Sequence, residues 1–263
     1  NYGMRTFADL FTPRQLVALT TFSDLVGEAR ERVRRDAVAA GLPDDSVPLA
    51  EGGRGAQAYA DAVATYLAFA LSKASSRNCT LALWETGMDR LAGALGRQAL
   101  PMSWDYAETN PLAGAGGDIA GTADSVAKVL DRIGSFALGT AVQRDATASP
   151  ALHEILVSTD PPYYDNIGYA DLSDFYYVWL RRSLGAVHPD LFGTLLTPKS
   201  QELIANPYRF DGNRQKAEEF FQAGLAKAFA QMRDAQHPDY PLTLFYAFKQ
   251  SETEGTAHGD GVT

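Results

Sequence analysis

Apolar residues recur every three to four positions through the first hundred residues, the spacing of a single buried helix face. Leu16, Leu19, Phe22, Val26 and Ala29 form one such stripe. Thr12 reads as its N-cap with Pro13 in the first helical position, and Gly41-Leu-Pro43 ends it near Ala40. A polar, Gly-rich loop at 41–55 leads to a second helix at 57–75, with Tyr59, Val63, Tyr66, Leu67 and Ala70 on its buried side. Residues 80–95 continue the helical spacing as far as Gly93 and Gly96. The aromatic residues here read as core, with a base-reading surface as the alternative.

The pattern changes after Leu100. Residues 101–118 are rich in Pro, Gly and aromatic side chains and read as a loop. A helix at 123–133 follows, then a strand at 139–144. Glu154-Ile-Leu-Val157 is a short apolar run bounded by turn residues, a buried strand. Tyr169–Leu184 is aromatic-rich at helical spacing, 198–207 is a loop, and Arg214–Ala235 is an amphipathic helix with Phe220, Phe221, Leu225, Phe229 and Met232 inward. Residues 240–249 read as a final buried strand, and 252–263 as a loose end. Strands alternating with helices predict an α/β fold with a mostly parallel, incomplete sheet at 101–263, preceded by a helical region at 1–100.

Composition narrows the classes. With 263 residues, 46% hydrophobic and 21% charged, the chain is ordinary for a globular protein. It holds no apolar run of about 18 residues, so no membrane span is expected, and no signal peptide is visible. Cys79 is the only cysteine, which excludes an internal disulfide and a zinc ribbon and fits a reducing cytoplasm. The four histidines show no metal-ligand spacing, and neither a Gly-x-Ser-x-Gly elbow nor a Walker loop is present. The net charge of −9 lacks the basic footprint of a duplex binder. Arg30, Arg32, Arg34 and Arg35 alternate with Glu28, Glu31 and Asp36, a pattern that fits a solvated face of ion pairs or a phosphate track.

The candidate chemistry lies just past the Glu154 run, in Ser158-Thr-Asp-Pro-Pro-Tyr-Tyr-Asp-Asn-Ile-Gly168. Ligands of open α/β sheets bind outside the carboxyl ends of strands. Pro161 and Pro162 stiffen this turn and donate no N–H, which leaves carbonyl acceptors facing outward. Asp160 adds a carboxylate and Tyr163 a flat π face. Two acceptors beside an aromatic plate can hold an exocyclic amino group, draw its nitrogen towards sp³ geometry and free the lone pair for attack. A base must leave its duplex to reach such a pocket. A proline-stiffened turn whose carboxylate caps a helix is the plainer alternative.

Asp160-Pro-Pro-Tyr163 resembles the catalytic motif of S-adenosylmethionine-dependent amino-methyltransferases, and the run from Thr159 to Tyr169 resembles the large adenine-specific DNA methylases. Arg5-Thr-Phe-Ala-Asp-Leu-Phe-Thr-Pro-Arg-Gln-Leu16 and Trp104-Asp-Tyr-Ala-Glu-Thr-Asn-Pro111 are similar to that family too. The resemblance implies a partial Rossmann-like methyltransferase sheet and methyl transfer to adenine N6 in DNA, without a metal. Asp160, Pro161, Pro162 and Tyr163 would be catalytic; Tyr164, Asp165 and Asn166 would line the pocket, and Lys199, Gln201 and Asn206 would touch the substrate backbone. Asp145, after the strand at 139–144, would face the cofactor's adenine or be a solvated loop acid. Asn110-Pro-Leu-Ala-Gly-Ala-Gly-Gly117 compares with a cofactor loop or is a turn before a helix. An Asp/Glu-Pro-Phe-x-Gly-x-Gly loop is expected upstream of Arg5, in a longer polypeptide of which this chain would be an internal piece. Cytosine N4, an RNA amine, or a non-catalytic docking role are the alternatives.

Overall fold

The computed structural model describes residues 3–96, 100, 103–134, 139–165 and 167–246. Its helices are α1 (Pro13–Ala39), α2 (Ala56–Ser75), α3 (Ile119–Arg132), α4 (Tyr169–Leu184) and α5 (Arg214–Ala235). The strands β1 (Leu83–Glu85), β2 (Arg90–Ala92), β3 (Ser158–Thr159) and β4 (Thr243–Leu244) are short. The architecture is therefore mixed, mostly helix with two small sheets. Two compact units form, one from Asn1–Gly139 with Tyr169–Ser200, the other from Thr140–Gly168 with Gln201–Thr263. The division at residue 100 followed composition, whereas these units follow contacts and give α4 to the first.

In the first unit α1 starts as its sequence dictates. Thr12 Oγ1 accepts from the Gln15 N–H, and Gln15 Oε1 accepts from the Thr12 N–H at 2.8 Å, a closed capping box with Pro13 behind it. Helix α2 packs on α1, α3 and α4. Its buried face is made of Ala60, Ala64 and Ala68, each at most 1% exposed, so the helices meet on methyl groups. Tyr59 and Tyr66, expected inside, are 54% and 40% exposed because that close approach leaves no room for rings. Phe11, Leu19, Leu71, Phe175 and Trp179 form the main core, and Val26, Leu184 and Val187 a second cluster.

Residues 80–95 correct the helical expectation. They form a hairpin in which β1 pairs antiparallel with β2, Trp84 opposite Leu91. Met88 N bonds back to Glu85 O at 3.1 Å and Asp89 takes a positive φ of 49°, so a turn replaces the helix around Gly87.

One buried charge anchors α2. Asp61 is fully buried and accepts from Arg30 Nε at 2.6 Å, Gln57 Nε2 at 2.9 Å and the Leu49 N–H at 3.0 Å. Arg34 pairs with Asp44 and Arg32 with Asp36, so the arginine cluster is largely consumed by ion pairs rather than held out as a phosphate track. Replacing Arg30 by Ala strands the Asp61 carboxylate. The expected loss is about 3 kcal/mol, the low end for a broken buried pair because water still reaches the arginine. Urea unfolding measures it, and a loss below about 0.5 kcal/mol, the range of ordinary surface changes, would contradict this account of the pair.

In the second unit the expected strands are shorter, shifted and not buried. The run at 154–157 gives only the isolated bridge of Ile155 to Gln236, with β3 after it, and of 240–249 only β4 pairs, parallel to β3. Leu156 and Leu244 are 68% and 41% exposed, and residues 247–263, with the expected loose end, lie outside the described residues. Ser158 pairs with Thr243 and Thr159 with Leu244. Main-chain bonds extend the pairing on both sides: His237 N to Ile155 O at 2.9 Å, Thr243 N to Val157 O at 3.0 Å and Phe245 N to Thr159 O at 2.9 Å. Helix α5 precedes β4, and a helical crossover is what joins parallel strands. Its Phe221 is buried as expected, together with Ala217, Ala228 and Ala235. No strand forms at 139–144. Val142 there is 75% exposed, and a segment that buries so little has no pairing to gain. Among the described residues no helix is long and apolar enough to cross a membrane.

Candidate active site

The parallel pair sets the position of the Asp-Pro-Pro-Tyr turn. Because β3 and β4 run the same way, residues 160–164 and 245–246 leave the sheet at one edge, the carboxyl edge where α/β ligands bind. Pro161 is buried and Pro162 half-buried, while Asp160 is exposed. No donor among the described residues takes the Pro161 carbonyl. The turn thus keeps both expected acceptors in a stiff segment: an exposed carboxylate on Asp160 and an unbonded carbonyl on the buried Pro161.

Tyr163 closes over this turn. Its hydroxyl donates to Asp160 Oδ1 at 2.7 Å, and its ring meets Tyr246 edge-on, with centroids 5.5 Å apart at 83°. An incoming amine would therefore find Asp160 Oδ2 and the Pro161 carbonyl, with Oδ1 already braced by the phenol. Tyr246 was not singled out by sequence reasoning. The signal was available: it lies two residues past the strand that neighbours β3 in parallel.

Tyr164 sits at a φ of 21°, and its carbonyl accepts from the Ala205 N–H at 2.9 Å. Its ring is edge-on to Phe221 at 5.4 Å. Burial, helped by the charges of Glu218 and Asp165, raises the phenol above its ordinary value, so it stays protonated. Asp165 is exposed beside it, and Asn166 lies outside the described residues.

Other candidates have different local roles. Asp145 follows no strand. Its Oδ1 takes the Thr147 N–H and hydroxyl, each at 2.8 Å, and these bonds lower its carboxyl below the ordinary range with help from Lys227. Asn206 accepts from the Tyr208 N–H and caps the short turn Pro207–Phe210. The glycine segment 110–117 leads into α3, whose N-cap is Asp118. That carboxylate takes the Gly121 N–H at 2.6 Å and the Gly114 N–H at 3.0 Å, which lower its pKa and use donors a bound anion would need.

Lys199 belongs to the first unit, where its ammonium reaches Asp174 Oδ2 at 2.6 Å. Burial pushes the Asp174 carboxyl up, but Lys199 and the hydroxyl and N–H of Thr197 more than offset it, and the pKa lies below its ordinary 3.8. A depressed carboxyl contributes stability above its unfolded pKa and loses it as pH falls through the folded value. Lys199→Met is therefore expected to lose about 1–2 kcal/mol at neutral pH, discounted for the exposed ammonium. The gap from wild type should close below pH 3.8, the ordinary value; a gap constant with pH in denaturant titrations would sink this assignment.

Cys79 is fully buried, and burial pushes its thiol up to about 11, so it is no nucleophile at neutral pH. Among the described residues no group of three or more His, Cys, Asp or Glu side chains converges as a metal site. Comparison with known protein families, curated proteins and solved structures finds no match to this chain.

Proposed function

We propose that this chain carries the acceptor-base site of an S-adenosylmethionine-dependent methyltransferase acting on adenine N6 in DNA. What supports the reading is one juxtaposition: the Asp160 carboxylate, the unbonded Pro161 carbonyl and the Tyr163 ring at the carboxyl edge of a parallel strand pair. In this reading β3 and β4 belong to a larger Rossmann-like sheet, and a Gly-rich cofactor loop comes from an upstream part of the same polypeptide, as the resemblance implies.

Asp160 Oδ2 and the Pro161 carbonyl accept the two N–H hydrogens of the extruded base. Tyr163 braces the carboxylate and lends its ring to stacking, a contact worth about 1–3 kcal/mol per base. Pro162 stiffens the segment, so little reorganisation is needed when the amine arrives. Tyr163, Tyr246 and the exposed Phe245 fit a sulfonium, because a cation is attracted to ring faces. S-adenosylmethionine, held by these rings, would supply an electrophilic methyl group with a neutral thioether as its leaving group. Asp160 takes the proton shed by the methylated nitrogen and passes it to solvent.

Calorimetric titration of S-adenosylmethionine into the full-length protein tests the reading. Micromolar binding is expected. No binding would leave the turn a structural device in a docking module.

A further inference from the structure

A second set of polar groups lies in the first unit, and methyl transfer does not use it. It begins at Gln15, which is only 3% exposed. The capping bond from the Thr12 N–H fixes Gln15 Oε1, so its Nε2 must lie on the other side of the amide. That nitrogen is buried without a hydrogen-bond partner, and Gln15 lines a pocket of about 340 Å³. A buried amide donor with nothing to accept from it is unfavourable, so its retention needs an explanation.

Asn78 lines the same pocket and supplies the complementary group. Both its amide hydrogens are used, on the Ala74 and Gly117 carbonyls at 2.9 Å each, which leaves its side-chain carbonyl as an acceptor. The backbone is shaped to keep it there. Gly117 has a φ of +94°, and a Cβ at that position would stand 2.7 Å from Thr109 Cγ2. Gln15 and Asn78 therefore bring one buried, unpaired amide donor and one amide acceptor to the pocket's lining. A nucleobase edge offers the matching acceptor and donor side by side, and Asn and Gln amides are its usual readers.

Glu108 borders both this pocket and a wider cleft of about 750 Å³. The Arg14 and Thr12 side chains hold its carboxyl below the ordinary range, so it is an anion there, and an acid beside a base pocket is suited to ribose hydroxyls. The cleft carries Lys73, which donates to Ser125 Oγ at 3.1 Å, and Arg77, whose guanidinium has no ion pair among the described residues. We infer that this unit binds a nucleoside with an anionic tail: the base on Gln15 and Asn78, the ribose on Glu108, the anion on Lys73 and Arg77. The tail is a phosphate, as in a free nucleoside monophosphate. The inference stands apart from the Asp160 reading.

Calorimetric titrations of the 263-residue chain with AMP, GMP, CMP, UMP and S-adenosylmethionine test the inference. At least one nucleoside monophosphate is expected to bind, and more tightly than S-adenosylmethionine; a preference for the sulfonium would overturn the inference. Gln15→Leu should weaken the bound ligand roughly tenfold or more, as the loss of a buried hydrogen bond does. Lys73→Ala, on the exposed rim, should weaken the charged ligand and leave its uncharged nucleoside unaffected. No binding by any of the five would overturn the inference and leave the pocket to water. Binding that survives both substitutions would overturn it as well. Nucleotide binding by Gln15→Leu tests this pocket alone, whereas methyl transfer by Asp160→Ala tests the other reading, so the two can fail separately.

Discussion

On the proposed reading, replacing Asp160 by Ala is expected to lower the rate of methyl transfer by about 10²–10³, the usual effect of deleting one preorganised polar group at a reacting centre. The side chain is exposed, and its bond to the Tyr163 hydroxyl leaves the turn's prolines and the β3–β4 pairing untouched. Stability should therefore change by no more than about 0.5 kcal/mol, as for an ordinary surface substitution. Asp160→Asn separates charge from geometry. It keeps one acceptor oxygen but turns the other towards the amine as an N–H donor, so its rate should fall below wild type and stay above the alanine variant. Single-turnover assays read both numbers. An alanine variant with undiminished turnover would remove the turn from the chemistry.

Phe175→Ala is expected to cost about 3–5 kcal/mol of stability, the range for emptying an aromatic site in a packed core. The ring is 1% exposed and stacks on Phe11 with centroids 5.7 Å apart; Tyr176 meets it edge-on at 5.0 Å. Phe11 also packs against Trp179, so the cavity would open where α4 joins the helical core and one further aromatic pair would loosen. The control is Tyr66→Ala, which removes a ring 40% exposed on α2 and should cost less than about 1 kcal/mol. Denaturant midpoints followed by tryptophan fluorescence compare the two. Equal losses would mean that the core is not where we place it.

The elements with local instructions were legible in the chain. Helix α1 carries its start in Thr12, Pro13 and Gln15, and α4 and α5 have the bounds their periodicity predicts. Where tertiary contacts decide, the sequence misleads. Leu83, Trp84, Leu91 and Ala92 suit a helix as well as the hairpin they form, and Gly87 with Asp89 was the signal that the chain turns. On α2 the ring-bearing positions looked like the core, yet alanines at four-residue spacing allow the closer packing. The turn at Asp160 was recognisable because Pro-Pro stiffness and an acceptor pair are properties of consecutive residues. Tyr246 and the pocket at Gln15 were not, because each depends on residues far apart in sequence.

The most direct measurement is nucleoside mass spectrometry of DNA incubated with the protein and methyl-labelled S-adenosylmethionine. The account predicts labelled N6-methyladenine with wild type and its near disappearance with Asp160→Ala. Label in N4-methylcytosine would keep the turn's chemistry and correct the acceptor. No labelled nucleoside from an enzyme that binds the cofactor would contradict the central claim.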